Sequence, residues 1–313
     1  MTAEQCGVVS VNVSKEKGTI KLPVSEIVID ESGIVGDAHA GPWHRQVSLL
    51  AKESIERFGR EESRQFQPGE FAENITTRGL SLDEVAVLDR LVSGDVLLEV
   101  TQIGKGCHGD NCAIYRQVGR CVMPKEGVFT RVVRGGRIQP GAELRHERRP
   151  FTCWIITVSD RASRGVYEDR SGPRVRELVE RFMEGKRWHL RVEQAVVPDD
   201  PQQIEAELKR AQAAPADLVI TTGGTGIGPH DITPEVVVMR CSKLIPGVME
   251  QIRAKTGAAN PNALLSRGVA GVMGHGLIYT LPGSVRAVEE YLEEIFKTVE
   301  HLVLMLHGID AHG

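Results

Sequence analysis

From Asp217 the chain runs through an apolar stretch, Leu218-Val219-Ile220, into the turn Thr221-Thr222-Gly223-Gly224-Thr225-Gly226-Ile227-Gly228-Pro229-His230-Asp231-Ile232. A helix-start signal, Thr233-Pro234-Glu235, follows at once. Strand, glycine turn, helix: this order commits the region to an α/β layer. It also exposes backbone N–H groups beside the positive end of a helix dipole, an arrangement suited to phosphate. Asp231 stands where a divalent cation bridging phosphates needs an oxygen ligand. A dinucleotide fingerprint would need glycine at 224, 226 and 229, and position 229 is proline. No Gly-Lys-Ser/Thr follows, which excludes a Walker A loop. A tight strand-to-helix turn of any α/β domain is the competing reading, and the neighbouring residues must decide.

The two halves of the chain follow different patterns. Residues 1–145 carry short apolar or alternating runs at Val8–Val13, Thr19–Val24, Glu26–Asp30, Val85–Leu88, Val96–Ile103 and Gly127–Val133. Turn signals such as Ser93-Gly94-Asp95 and Gln139-Pro140-Gly141 separate them. One helical spacing interrupts, over Ser48–Phe58. Many short strands with few helices predict a mostly-β, barrel-like domain. Residues 146–150 are polar, end in proline and read as a linker. From Phe151 the pattern changes. Phe151–Val158 is a continuous apolar strand. Ser171–Met183 is a helix, Arg191–Val197 a strand, and Asp199-Asp200-Pro201 opens a helix to about Gln212. Asp217–Thr222 is the strand before the glycine turn. Helices are expected at Pro234–Arg240, Gly247–Lys255 and Asn262–Arg267, a strand at Leu277–Leu281, and a closing helix over Ser284–His307. This alternation predicts a three-layer α/β domain over 151–313 with a mainly parallel sheet.

Composition narrows the function classes. The chain has 313 residues, 41% of them hydrophobic and 26% charged, with a formal charge of −4. Those values suit a globular protein of two domains and give no basic excess for nucleic acid. No apolar run approaches the roughly 20 residues of a membrane helix. The amino-terminal segment lacks the pattern of a secretory signal. A cytoplasmic setting is expected, where six cysteines stay mostly reduced.

In parallel sheets ligands bind beyond the carboxyl ends of the strands. Four such ends carry polar groups: Ser159-Asp160-Arg161, Pro198-Asp199-Asp200, the glycine turn with Asp231, and Leu281-Pro282-Gly283-Ser284. Individually, Asp199 could be a helix cap and Asp160 with Arg161 a surface pair. Together they offer carboxylates for a metal, arginine for anions and turns for phosphate oxygens.

These segments, with Tyr167-Glu168-Asp169-Arg170-Ser171-Gly172-Pro173 and Ile245-Pro246-Gly247, occur in order over residues 151 to about 305. They resemble the MogA/MoaB family of molybdenum-cofactor biosynthesis. The resemblance implies binding of molybdopterin and its adenylylation with MgATP, with release of pyrophosphate. It implies Asp199 and Asp231 as the catalytic acidic pair and Mg²⁺ ligands, and Thr222, Gly223, Gly224, Thr225 and Gly226 as the phosphate loop. Ser159, Asp160, Arg161, Glu250, Ser266, Arg267, Pro282, Gly283 and Ser284 become further pocket residues. Val285 departs from the family, which usually has proline there. A homo-oligomer, trimer or hexamer, is also implied.

In the first half, Gly104-Lys105-Gly106-Cys107-His108-Gly109-Asp110-Asn111-Cys112 and Cys121 admit three readings: packed thiols, a zinc site, or a reactive thiol lowered by Lys105, His108 or Arg120. Gly36-Asp37-Ala38-His39, Pro68-Gly69-Glu70-Phe71-Ala72-Glu73-Asn74-Ile75, Gly104-Lys105-Gly106-Cys107 and Arg134-Gly135-Gly136 resemble a MOSC domain. That resemblance implies a β-rich module binding the molybdenum or tungsten cofactor, or carrying sulfur to it, through Cys107. His39 and His44 are candidate pocket residues. Molybdoenzymes or other cofactor-biosynthesis proteins are implied partners. The competing functions are a non-catalytic pterin carrier, and a metal-binding redox module fused to a pterin-binding domain.

Overall fold

The computed structural model describes residues 6–81, 84–106, 115 and 120–309. They form two compact units, Met1–Arg149 and Pro150–Gly313.

In the first unit the strands are β1 (Gly7–Val13), β2 (Leu22–Val24), β3 (Ile27–Asp30), β4 (Gly33–Ile34), β5 (Val47–Ala51), β6 (Ile75–Arg78), β7 (Arg90–Ser93), β8 (Val96–Ile103), β9 (Val128–Arg134), β10 (Gly136–Ile138) and β11 (Arg145–Glu147). The helices are α1 (Lys52–Glu61) and α2 (Met123–Glu126). Eight strands form one sheet in the order β11-β7-β8-β9-β5-β6-β1-β2, and β10-β3-β4 form a second. The larger sheet curls. The chain just before β11 returns to β1, where Val8 N donates to Ala142 O (2.9 Å) and Leu144 N to Cys6 O (2.9 Å).

Three expectations change here. Ser48–Ala51 is strand, and the helix begins only at Lys52. Every residue of Val47–Ala51 is buried between β6 and β9, so pairing on both sides overrides the helical spacing. Val85–Leu88 is a turn: Leu88 has φ +74°, and the Asp89 carboxylate accepts from Ala86 N (2.8 Å). Val85, Ala86 and Leu88 are buried without a ladder. The segment 146–150 is mostly regular structure, because Arg145–Glu147 pairs with β7 and Pro150 opens the next strand.

The second unit contains β12 (Pro150–Val158), α3 (Asp160–Ser163), α4 (Ser171–Met183), β13 (His189–Val197), α5 (Pro201–Ala213), β14 (Leu218–Thr222), α6 (Thr233–Val238), β15 (Lys243–Leu244), α7 (Pro246–Gly257), a 3-10 turn (Pro261–Leu265), β16 (Ala270–Met273), β17 (Gly276–Leu281) and α8 (Val285–Leu306). Its sheet runs β13-β12-β14-β17-β16-β15. The first four strands are parallel, and β16 and β15 extend the edge antiparallel. Side chains of β12 alternate between two cores, as the two-residue period of a strand requires. Phe151, Cys153 and Ile155 pack with α4, α7 and α8. Trp154, Ile156 and Val158 pack with α5 and α6 on the other face. Helices therefore cover both faces, and the carboxyl ends of β12, β14 and β17 open onto one rim. Among the described residues no helix is long and apolar enough to cross a membrane.

Candidate active site

The glycine turn leaves β14 and is held on three sides. Gly223 has φ +104° and Gly224 φ +63°, left-handed conformations that glycine alone adopts cheaply. Space forbids a side chain as well: a Cβ at Gly223 would lie 2.2 Å from Val158 O, and one at Gly224 2.4 Å from Thr233 Oγ1. Gly223 N donates to Leu281 O (2.9 Å) and Thr222 Oγ1 to Pro282 O (3.0 Å), which fasten the turn to the end of β17. Arg267 braces the far side. Its backbone N donates to Thr225 O (2.9 Å), its Nε to Gly226 O (2.7 Å) and its Nη2 to Asp231 O (2.5 Å), and it pairs with Glu235.

Two carboxylates flank the turn. Asp231 Oδ2 accepts from Gly228 N (2.8 Å) and sits 2.7 Å from where a Cβ of Gly226 would be. Asp199 Oδ1 lies 3.3 Å from the Cβ position of Gly224. Asp199 Oδ2 accepts from Asp160 N (2.8 Å), and Asp160 Oδ1 accepts from Asp199 N (3.3 Å). Oδ1 of Asp199 and Oδ1 of Asp231 accept no hydrogen bond from the described residues.

A cleft of about 380 Å³ opens beside the turn. Gly223, Gly224, Thr225, Gly226 and Asp231 form one wall, and Pro282, Gly283 and Ser284 another. Ser266 joins them with Asn260, Asn262 and Tyr291, which sequence reasoning missed. Asn262 falls in the segment expected to be a helix from Asn262 to Arg267, which is instead the 3-10 turn Pro261–Leu265, and Tyr291 lies in the expected closing helix with no feature of its own to mark it. Ser284 Oγ also caps α8 by accepting from Ala287 N (3.2 Å).

Other expected residues fall outside this lining. Ser159 caps α3 by accepting from Ala162 N (3.2 Å). The Arg161 guanidinium lies over the Tyr167 ring at 5.4 Å. Glu250 is exposed on α7 and takes no part in the cleft lining. Thr222 and Arg267 serve as struts. A groove of about 590 Å³ in the first unit, beside α1 and Phe66, is larger but contains neither a glycine turn nor an acid pair.

The first unit holds a buried polar cluster. Lys21 Nζ donates to Asp37 Oδ1 (2.6 Å) and Oδ2 (2.5 Å), both side chains being 1% exposed. Asp37 also accepts from Ser14 N, His39 N and Asn74 Nδ2. Burial alone would raise the Asp37 carboxyl, but hydrogen bonds from His39 and Lys21 and the Lys21 charge hold it well below the usual carboxylate range. His39 Nδ1 lies 3.3 Å from Lys21 Nζ, so this histidine edges the cluster. Cys107, His108 and Cys112 lie outside the described residues. Cys6 and Cys153 are buried and outside any disulfide. Burial pushes the Cys153 thiol far up, as expected of a packed, unreactive group.

Residues 154–301 match the model of the probable molybdopterin binding domain, and residues 36–145 match that of the MOSC domain. A molybdopterin adenylyltransferase of Helicobacter pylori is 37% identical over 155 residues, covering 49% of this chain and 86% of that protein. The chain belongs to the molybdopterin-binding domain family. Within that family, the molybdenum cofactor biosynthesis protein B of Staphylococcus carnosus is 38% identical over 159 residues, covering 50% of this chain and 90% of the relative. A solved structure, the molybdopterin biosynthesis Mog protein of Mycobacterium ulcerans, is 39% identical with a TM-score of 0.46, covering 50% of this chain and 98% of its own. All three alignments cover about half of this chain, and the MOSC match accounts for much of the rest.

Proposed function

We propose that the second unit is a molybdopterin adenylyltransferase. The observation that carries this reading is the placement of Asp199 beside Gly224 and of Asp231 beside Gly226, each with one carboxylate oxygen that accepts no hydrogen bond from the described residues. In the reaction, a terminal phosphate oxygen of the pterin attacks the α-phosphorus of ATP. The bond from that phosphorus to the bridging oxygen of the β-phosphate breaks, and pyrophosphate leaves. Two anions have to meet, so the protein's task is positioning and charge compensation rather than covalent catalysis.

Backbone N–H groups of the glycine turn would hold phosphate oxygens, and the Pro282-Gly283 turn would close the opposite wall. The two free carboxylate oxygens are hard ligands of the kind Mg²⁺ prefers, so the residues fit this ion. Asp199 and Asp231 would hold it, and it would supply charge neutralisation on the phosphates. Asp231→Asn tests the assignment: pterin binding should persist while AMP transfer is lost, measured as pterin-dependent pyrophosphate release. Wild-type turnover in that variant removes Asp231 from the site, and absence of turnover in the wild type favours a carrier.

The MOSC unit would bind the maturing molybdenum or tungsten cofactor, or a sulfur species, through Cys107. Tethering the two units raises the effective concentration of an unstable intermediate at the second site. Separated units that complete the reaction as fast as the intact chain would remove this coupling. Assembly into a trimer or hexamer, a cytoplasmic setting and delivery to molybdoenzymes belong to the same proposal.

A further inference from the structure

Among the described residues, the lining of the cleft beside the glycine turn carries three charged side chains, Asp231, Arg286 and Glu290, two of them acidic. The proposed reaction brings two phosphorylated ligands into this space, so positive charge and N–H donors have to offset their repulsion. The arginines around the cleft have different commitments. Arg267 is occupied by the carbonyls of Gly226 and Asp231 and by Glu235. Arg253 Nη1 donates to Ser266 O (3.4 Å) and Gly268 O (3.3 Å). Arg286 differs from both. Its Nε donates to Glu290 Oε1 (2.8 Å), and its two Nη groups donate to no described residue.

Placement sets Arg286 beside the phosphate wall. A Cβ added at Gly283 would lie 3.4 Å from Gly223 Cα, so the turn that leads into α8 abuts the glycine turn itself. Arg286 is the second residue of α8 and lines the cleft. Its side chain is 75% exposed, so a ligand in the cleft can reach it. Glu290 lies one helical turn on, an i, i+4 pair with Arg286. At the surface such a pair adds little to the fold, so stability alone does not account for the arginine. With Nε held by Glu290, the Nη1 and Nη2 groups present the planar fork that matches two phosphate oxygens.

We propose that Arg286 is a phosphate-binding residue of the cleft, its Nη1 and Nη2 groups donating to oxygens of a phosphate on a ligand held at the glycine turn, with Glu290 as the positioning residue that orients the fork. This rests on the adenylyltransferase reading. The pterin phosphate and the nucleotide phosphates share the required chemistry, and the test separates them.

The test uses the full chain as wild type, Arg286→Ala, Arg286→Lys and Lys297→Ala. Lys297 lies on the same helix outside the cleft lining, exposed and paired with Glu294 (2.7 Å), so its loss removes the same charge elsewhere. Each protein is titrated separately with molybdopterin and with a non-hydrolysable MgATP analogue, at low and at high salt, and each is melted without ligand. Arg286→Ala should bind at least one of the two ligands about tenfold more weakly at low salt, the scale of one hydrogen bond to a charged group. The ligand that weakens identifies the phosphate. The gap from wild type should narrow as salt rises, because the contact is between exposed charges. Arg286→Lys keeps the charge but loses the fork, and should fall between Arg286→Ala and the wild type. Lys297→Ala should bind both ligands as the wild type does. Ligand-free melting midpoints should all stay within about 2 °C of the wild type, as expected for loss of a surface pair. Wild-type affinity of Arg286→Ala for both ligands overturns the proposal alone and leaves the adenylyltransferase reading standing. A gap that is indifferent to salt also overturns it, by making the guanidinium a surface for ring stacking. Equal weakening in Lys297→Ala overturns it by making the effect one of net charge, and a much lower midpoint for Arg286→Ala does so by making the arginine structural. If the wild type binds neither ligand, the adenylyltransferase reading fails first and takes this inference with it.

Discussion

Asp160 and Asp199 hold each other by reciprocal backbone-to-carboxylate hydrogen bonds, Asp160 N to Asp199 Oδ2 at 2.8 Å and Asp199 N to Asp160 Oδ1 at 3.3 Å. The pair locks the end of β12 to the end of β13 and fixes the direction of the second Asp199 oxygen. Asp160 would act through this lock as a positioning residue. Asp160→Ala should lower kcat/KM for AMP transfer by about 10- to 100-fold, the scale on which small misplacements act. The fold should survive. Steady-state pyrophosphate release checks this, and an unchanged rate would leave the lock without a catalytic role.

Gly224→Ala meets two obstacles at once. Its backbone is left-handed, and the added methyl would sit 2.4 Å from the buried Thr233 Oγ1. Backbone strain alone costs about 1–3 kcal/mol. Chemical denaturation of the purified variant should show at least that loss. Nucleotide binding should vanish, because the turn cannot keep its shape.

Arg267 braces the turn through three hydrogen bonds to it, two of them from the guanidinium. Lysine keeps the charge but not the planar fork, so Arg267→Lys is not conservative here. Nucleotide affinity should fall about tenfold, equivalent to roughly 1.4 kcal/mol, while pterin affinity changes little. Calorimetric titration with the two ligands separates these outcomes.

In the MOSC unit, Asp37 neutralises a lysine that is buried beside it. Its folded pKa is depressed, so its contribution to stability is complete above the unfolded value of about 3.9 and declines as pH falls toward the folded value. Acid unfolding of this unit should begin below about pH 4. Asp37→Asn should cost about 3–5 kcal/mol at neutral pH by stranding the Lys21 charge. The double variant Lys21→Met, Asp37→Leu should recover part of that loss, as followed by circular dichroism against denaturant.

The strands that feed the site were legible in the sequence, because β12 and β14 are unbroken apolar runs and a parallel sheet buries both faces. The glycine turn and Asp231 were legible because they follow β14 directly, whereas Asp199 follows β13, a strand interrupted by Arg191, Glu193 and Gln194. The antiparallel edge β15–β16 was not, since β15 has only two residues and both are exposed. Ser48–Ala51 misled because its apolar spacing suits a helix as well as a doubly buried strand, and only the partners β6 and β9 decide between them. Asn260, Asn262 and Tyr291 stayed hidden in the site because their roles arise from where α8 and the 3-10 turn fold back. Arg267 was found by family pattern and assigned to the ligand, whereas its guanidinium is occupied by carbonyls of the turn and by Glu235.

The fastening of Thr222 and Gly223 to Leu281 and Pro282 also bears on biosynthesis of the chain. The two walls of the cleft are about sixty residues apart in sequence and are brought together by the parallel pairing of β14 with β17. Such long-range pairing forms slowly, after local helices. On the ribosome, the glycine turn would emerge long before the segment that shapes it. Ligand capture by this cleft would therefore report that the last strand of the sheet has been placed, and substrate could act as a folding ligand only at the final step.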